Sequence, residues 1–282
     1  MIIRSFKLVN EFGQEYDLNS AEKTGLLTEP QGLGYDHTVS YIDIGDAFIR
    51  TKKKAKQGVV SGTLIFGGKP YEAYNAFNGF VRNSKELRMI YKTPGSTVSY
   101  YRDVDLVRLV KTEMEGGVLH CPVEFYCKSL FYSNVKNNFT VSTVEGELRY
   151  DIRWPAKYND YSKRAIMLSN SGDVDAPFTL VLNGYCENPV VTLSKNGEVV
   201  ASVKFPVILQ VEEKILYSSL DDNMYVYLQR GDGTKENIVQ LLDINYDNFF
   251  KIPTGDCAIS FESDTGATYT TSFEMYKFYR TV

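Results

Sequence analysis

The chain is poor in the residues that most often carry chemistry: among 282 residues there are four Cys, two His and one Trp. Cys121, Cys127, Cys186 and Cys257 follow neither a zinc-ligand spacing nor a disulfide framework. Cys121 and Cys127 fall on one expected strand at ~20 Å, beyond the reach of a bridge. All four are expected as buried free thiols of a chain folded in a reducing cytoplasm. His37 and His120 stand far apart, and His120 takes the polar parity of its strand, which suits an exposed imidazole better than a catalytic base. No Gly-x-Ser-x-Gly elbow and no phosphate-cradling Lys loop occurs, and Gly32-Leu33-Gly34 reads as a turn. No apolar run approaches the ~18 residues of a membrane span. The opening Met1-Ile2-Ile3-Arg4-Ser5-Phe6 lacks the pattern of a secretory signal. There is no excess of positive charge either: 31 basic against 35 acidic residues leave −4, which argues against a dedicated nucleic-acid binder.

What the chain does have is aromatic, strand-forming sequence, with 21 Tyr and 16 Phe. At roughly 150 residues per domain its length suggests about two domains. Apolar residues alternate in Leu119–Cys127, a half-buried strand whose Pro122 implies an edge or a bulge. Phe6 and Leu8, then Tyr16 and Leu18, flank a polar turn and read as a hairpin. Further strands are expected at Val39–Ile44, Val59–Phe66, Leu87–Tyr91 and Val98–Val110, the last with a bulge where apolar parity switches between Leu106 and Val107. Pro70–Val81 changes period: Tyr71, Tyr74, Phe77 and Val81 share one helical face, with Pro70 at the first helical position. Ser133–Asn138, rich in Asn, reads as a linker. Beyond it, closely spaced strands, among them Phe178–Asn183 and Val207–Val211 and one pair joined by Asn196-Gly197, predict a β-sandwich.

Few side chains stand out as a site. Asp103 and Asp105 would share one strand face at a spacing near that of a retaining glycosidase, but no apolar wall raises either pKa and Trp154 stands alone. Solvated charges explain them better. Arg50-Thr51-Lys52-Lys53-Lys54-Ala55-Lys56 is a basic run in an acidic chain, read as a loop that is either solvated or turned to an acidic neighbour or passing nucleic acid. Sugar platforms use exposed aromatics, for which Tyr185, Tyr217 and Tyr225 are the candidates.

The order of segments carries a resemblance. Phe6–Leu18, the Gly32-Leu33-Gly34-Tyr35 turn, the Gly62–Phe66 strand, the Tyr71–Val81 helix, Leu87–Tyr91, Tyr100–Val104 and Cys121–Phe125 together resemble distal tail proteins of phages with long, non-contractile tails. Leu168–Asp173 and Leu182–Pro189 are similar to that family's C-terminal sandwich. The resemblance implies an all-β chain. Residues 1–133 would form a split β-barrel-like, ring-forming domain with one helix near 70–82, and residues 134–282 a galectin-like or carbohydrate-module-like sandwich. It further implies a structural, non-enzymatic role without cofactor or metal. A homo-hexameric ring would join the major tail-tube protein to the tail-associated tip protein, with DNA passing only through the lumen. The outer domain would touch a receptor-binding protein or host cell-wall saccharide. The location implied is the virion tail tip, after folding in the host cytoplasm and with no membrane involved. Lys52, Lys53, Lys54 and Lys56 would then suit a contact between rings. The alternative function is a cell-wall carbohydrate-binding module using Tyr185, Tyr217 and Tyr225.

Overall fold

Period-two burial builds this chain, and it can be followed strand by strand in a computed structural model that describes residues 4–34, 36–142, 165–264 and 268–282. Tyr35 and Trp154, both used in the sequence reading, lie outside the described residues. The chain divides into two compact units: Met1–Ser133 together with Tyr279–Val282, and Asn134–Phe278.

In the first unit Ser5–Asn10 buries Phe6, Leu8 and Asn10 on one face and pairs with both Glu15–Asp17 and Leu87–Lys92. The hairpin turn is organised by Asn10, whose side-chain oxygen accepts the N–H of Phe12 (3.1 Å) and of Gln14 (2.9 Å). From Leu87–Lys92 the ladder runs through Tyr100–Leu109, Val118–Cys127, Val59–Phe66 and Gly25–Gln31 to Asn19–Ser20. It then returns to its start. Leu18 N–H donates to Phe6 O (3.0 Å), while the Asn19 amide accepts from Phe6 N–H (2.8 Å) and donates to Phe6 O (2.9 Å). A barrel-like sheet results, as expected.

Tyr100–Leu109 serves both halves of that sheet, and the predicted bulge lets it bend. Arg108 faces Glu124 and Leu106 faces Phe125, so Val107 is the extra residue. Pro122 sits in an interior strand rather than at an outer edge. Its carbonyl accepts Val110 N–H (2.9 Å), so its missing N–H falls on the side where the Tyr100–Leu109 strand has just ended.

The helix spans Pro70–Arg82 with Pro in its first turn. Its buried face is Ala73 and Phe77, with Tyr74, Phe80 and Val81 packed partly against the core. Tyr71, expected on that face, is exposed, because the buried stripe passes through Ala73 instead. Phe77 fills the barrel core beside Phe66 (6.1 Å between ring centroids) and Tyr16 (5.3 Å).

The second unit is a sandwich. One sheet carries Lys235–Asn237, Asn223–Gln229, Lys214–Leu220, Phe178–Asn183 and Thr268–Tyr279 in that order. The facing sheet carries Ile166–Asn170, Gly255–Glu262, Val190–Lys195 and Glu198–Lys204. Asn196 and Gly197, with φ of 54° and 85°, form the predicted two-residue hairpin turn between the last pair. Phe178 is central, its ring 5.1–5.2 Å from those of Tyr217, Phe250 and Phe273.

Two further local expectations fail. Ser133–Asn138 is no loop but part of the continuous strand Phe131–Ser142, held by Asn134 Nδ2 on Glu274 (2.6 Å) and Lys136 on Glu274 (3.4 Å). Asn-rich sequence imitates a linker when its polar side chains lie along a strand and bond across it. The Val207–Val211 strand shrinks to Ile208–Leu209, with Val211 exposed.

All four cysteines are free and buried, and burial raises each thiol pKa, that of Cys186 to about 12. A thiol-specific reagent at neutral pH should therefore modify none of the four in the native chain and all of them in denaturant. Phe178→Ala should lower unfolding free energy by ~3–5 kcal/mol in denaturant titration, the cost of emptying a packed aromatic site.

Candidate assembly surface

His37–Ile44 and Ala47–Ala55 form a two-stranded ribbon that pairs with no other sheet among the described residues. Gly45, at φ 65°, turns its tip, and the register places Ile44 opposite Ala47 and Ile42 opposite Ile49. One face of the outer half is thus aliphatic: Ile42, Ile44, Ala47 and Ile49. The other face places Tyr41 beside Arg50 and Asp43 beside Phe48. A bulge at Thr51, whose hydroxyl donates to Ser40 O (3.2 Å), shifts the register below.

Every residue from Ser40 to Lys54 is exposed, Phe48 at 72% and Ile44 at 58%. That is unusual for strand sequence of this kind. An isolated two-stranded ribbon is at best marginally stable in water, and contiguous exposed apolar surface marks an interaction site.

The sequence placed the basic run in a loop; Lys52, Lys53 and Lys54 instead lie in the second strand of the ribbon. Three consecutive lysines, spread over both faces, hid a strand that has no buried face to give it an alternating pattern. Lys52 and Lys54 lie opposite Ser40 and Thr38 on one face, and Lys53 opposite Val39 on the other. Lys56 follows the strand and pairs with Asp36 (3.6 Å) at the root of the ribbon. His37 begins the ribbon, and partial burial, with Lys53 and Arg280 nearby, pushes its imidazole below the ordinary histidine range.

The tyrosines named for glycan contact separate. Tyr217 is 0% exposed, packed in the sandwich core against Phe178 and Phe205, and cannot meet a ligand. Its strand alternation was legible, but not which face the facing sheet covers. Tyr185 is exposed in the turn after Phe178–Asn183, its hydroxyl donating to Glu187. Tyr225 lies on the sheet face opposite Tyr217 and stacks on Tyr227 (5.1 Å, 23°). Tyr227 was missed; the signal was Tyr225-Val226-Tyr227, two tyrosines flanking the buried Val226. On the same face a groove of about 280 Å³ is lined by Asn183, Lys214, Thr270 and Ser272.

Asp103 and Asp105 are each engaged by a cation: Arg88 holds Asp103 (2.9 Å) and Lys128 lies 3.5 Å from Asp105. His120 is exposed on its strand. Among the described residues no His, Cys, Asp and Glu cluster could hold a metal ion, and no helix is long and apolar enough to cross a membrane.

A closed β-barrel with one helix, a two-stranded ribbon and a β-sandwich make up a fold that is shared with phage hub proteins. The whole chain is similar to a chain of the phage P2 baseplate in its activated conformation, with 16% identity, TM-score 0.64 and 99% of each chain covered. It is also similar to the Dit protein of phage SPP1, described as a paradigm of the hub adsorption apparatus of phages infecting Gram-positive hosts. There the identity is 13% and the TM-score 0.62, over 96% of this chain and 98% of that one. Residues 5–128 match the family model of the distal tail protein N-terminal domain. No curated protein matches the sequence.

Replacing Tyr41–Arg50 by Asn-Gly should leave the thermal midpoint of the chain within about 3 °C, since the excised residues bury nothing in either core. A larger fall in a melting curve would show that the ribbon supports its own subunit.

Proposed function

We propose that this chain is a structural subunit of a phage or prophage tail tip, assembled as a homo-hexameric ring that connects the tail tube to the adsorption apparatus. Residues 1–133 are the ring-forming domain, and residues 134–282 the outer domain that docks receptor-binding components. Its partners are the major tail-tube protein on one side and the tail-associated tip protein on the other, with DNA passing through the lumen. The subunit folds in the host cytoplasm and works by assembling, not by catalysis.

The observation that carries this reading is the ribbon. Its apolar faces are left uncovered by their own chain and need a surface of another molecule. A second copy offers it most economically, because repetition of one such contact closes a ring. The family-model match over residues 5–128 and the two full-length fold likenesses support the same reading. Lys52, Lys53, Lys54 and Lys56, around the inner half of the ribbon, suit an acidic surface of an adjoining ring.

Electron micrographs of the chain mixed with its tail-tube and tip proteins should show six-fold rings. Phe48→Asp combined with Ile49→Asp should abolish them while circular dichroism and melting stay unchanged. Rings formed equally well by that variant would remove the ribbon from the contact. Lys52→Glu with Lys54→Glu should leave rings intact but reduce their joining to tail tubes, read by co-sedimentation.

A second reading has one observation in its favour. The stacked Tyr225–Tyr227 pair shares a face with the polar groove at Asn183 and Lys214, a combination of apolar platform and hydrogen-bonding groups that suits a saccharide. Tyr227→Ala should abolish binding to purified host cell-wall glycan. Binding that survives this change, or no binding by the parent chain, would leave the face as a protein-docking surface.

A further inference from the structure

The first unit holds a buried positive charge with no carboxylate beside it. Arg102 is 6% exposed. Its Nε–H donates to Ser129 O (3.0 Å), its Nη1–H donates to Gly32 O (3.3 Å), and the guanidinium lies 4.5 Å over the Phe131 ring. Those carbonyls and the ring hold the group in place, but none carries a negative charge. No carboxylate lies within ion-pair distance of it among the described residues. Burial accordingly pulls the guanidinium pKa below its ordinary value. A buried cation without its counter-charge is costly, so its retention calls for a reason beyond packing.

Arg102 lines a cavity of about 100 Å³, room for a carboxylate or a tetrahedral oxyanion in place of several waters. Lys56 and Arg280 line the same cavity, together with Asp36 and His37. Three cationic side chains and one carboxylate line it. Asp36 is already engaged by Lys56. Burial first, and Lys53 and Arg280 next, push the His37 imidazole below its ordinary range, against the pull of Asp36.

The backbone is shaped around the guanidinium. A Cβ on Gly58 would stand 2.0 Å from Arg102 Nη2 and 2.8 Å from Cζ. Gly32, at φ 82°, could carry no Cβ either, because one would meet Val59 O at 1.7 Å. Glycine at both positions lets the donor fork reach the cavity.

We infer that this cavity is an oxyanion-binding site, in which Arg102 at the wall and Lys56 and Arg280 at the rim receive one phosphate or carboxylate group. The occupant ties the root of the ribbon, at His37 and Lys56, to the barrel strand that carries Arg102. Two sources supply such a group: a free inorganic anion, or an acidic side chain of a second copy of this chain. The inference stands whether or not the ring closes with six members.

The test is a titration of the full chain with sodium phosphate at constant ionic strength, followed by thermal unfolding. The thermal midpoint should rise saturably with phosphate. Lys56→Ala should weaken the apparent affinity about tenfold, as expected for loss of one hydrogen bond to a charged group. Gly58→Ala should abolish the effect, and Lys195→Ala, which removes a cation elsewhere, should change nothing. Should Gly58→Ala fail to fold, Lys56→Ala combined with Arg280→Ala takes its place. A midpoint that follows ionic strength alone, or a phosphate response unchanged by the cavity substitutions, overturns the inference and leaves Arg102 as a strut. Sedimentation of the same samples separates the sources. Dissociation of self-associated chain by phosphate assigns the group to a second copy; binding without change in mass assigns it to a free anion.

Discussion

A sheet cannot leave its edges bare, and that constraint organises what is seen of this chain. Unpaired strand edges expose N–H and C=O groups that invite other chains to pair. The first unit removes its edges by bringing Asn19–Ser20 back to Ser5–Asn10, so that Leu18 and the Asn19 amide satisfy both the N–H and the C=O of Phe6. Asn is suited to that place because one side chain offers both an acceptor and donors. The bulge at Val107 gives the bend that closure requires. With the barrel closed, Phe6, Leu8, Phe66, Phe77 and Phe125 can be fully buried. The helix then needs only one apolar stripe to cover the remaining core.

The ribbon is what closure leaves outside. Its strands pair with each other and with nothing else described, so its edges and both faces stay open. Within a single chain such an element is a liability; within an assembly it is a connector. The oxyanion cavity lies at its root, where Asp36, His37 and Lys56 meet the wall carrying Arg102. A projecting element gains precision from a well-anchored base, and a charge-dependent anchor would make the ribbon's attachment responsive to what fills the cavity.

Strands with one wet and one dry face could be read directly from the residues. Val59–Phe66 and Phe178–Asn183 have the bounds that their alternation predicts, and Asn196-Gly197 turns where its dipeptide says it should. The readings that failed share a cause. Ser133–Asn138 and Lys52–Lys54 are strands without a dry face, and without burial there is no alternation of polarity to read. Tyr71 and Tyr217 failed the other way. Both belong to correctly placed elements, yet one is exposed and the other sealed in the core, because an amphipathic pattern leaves open which edge of a stripe its neighbour covers.

Composition and order of segments by themselves determined the all-β class, the single helix, the free buried thiols and the resemblance to distal tail proteins. These depend on local period and on residue chemistry, which neighbours in sequence suffice to express. Only the tertiary structure decided where the sites lie. It brought Arg102 beside Lys56 and Arg280, set Tyr227 on the face away from Tyr217, and left Ile42, Ile44 and Phe48 without a cover. Charge balance in a cavity and exposure of an apolar face are properties of residues far apart in the chain, and they come into being only when the sheets close.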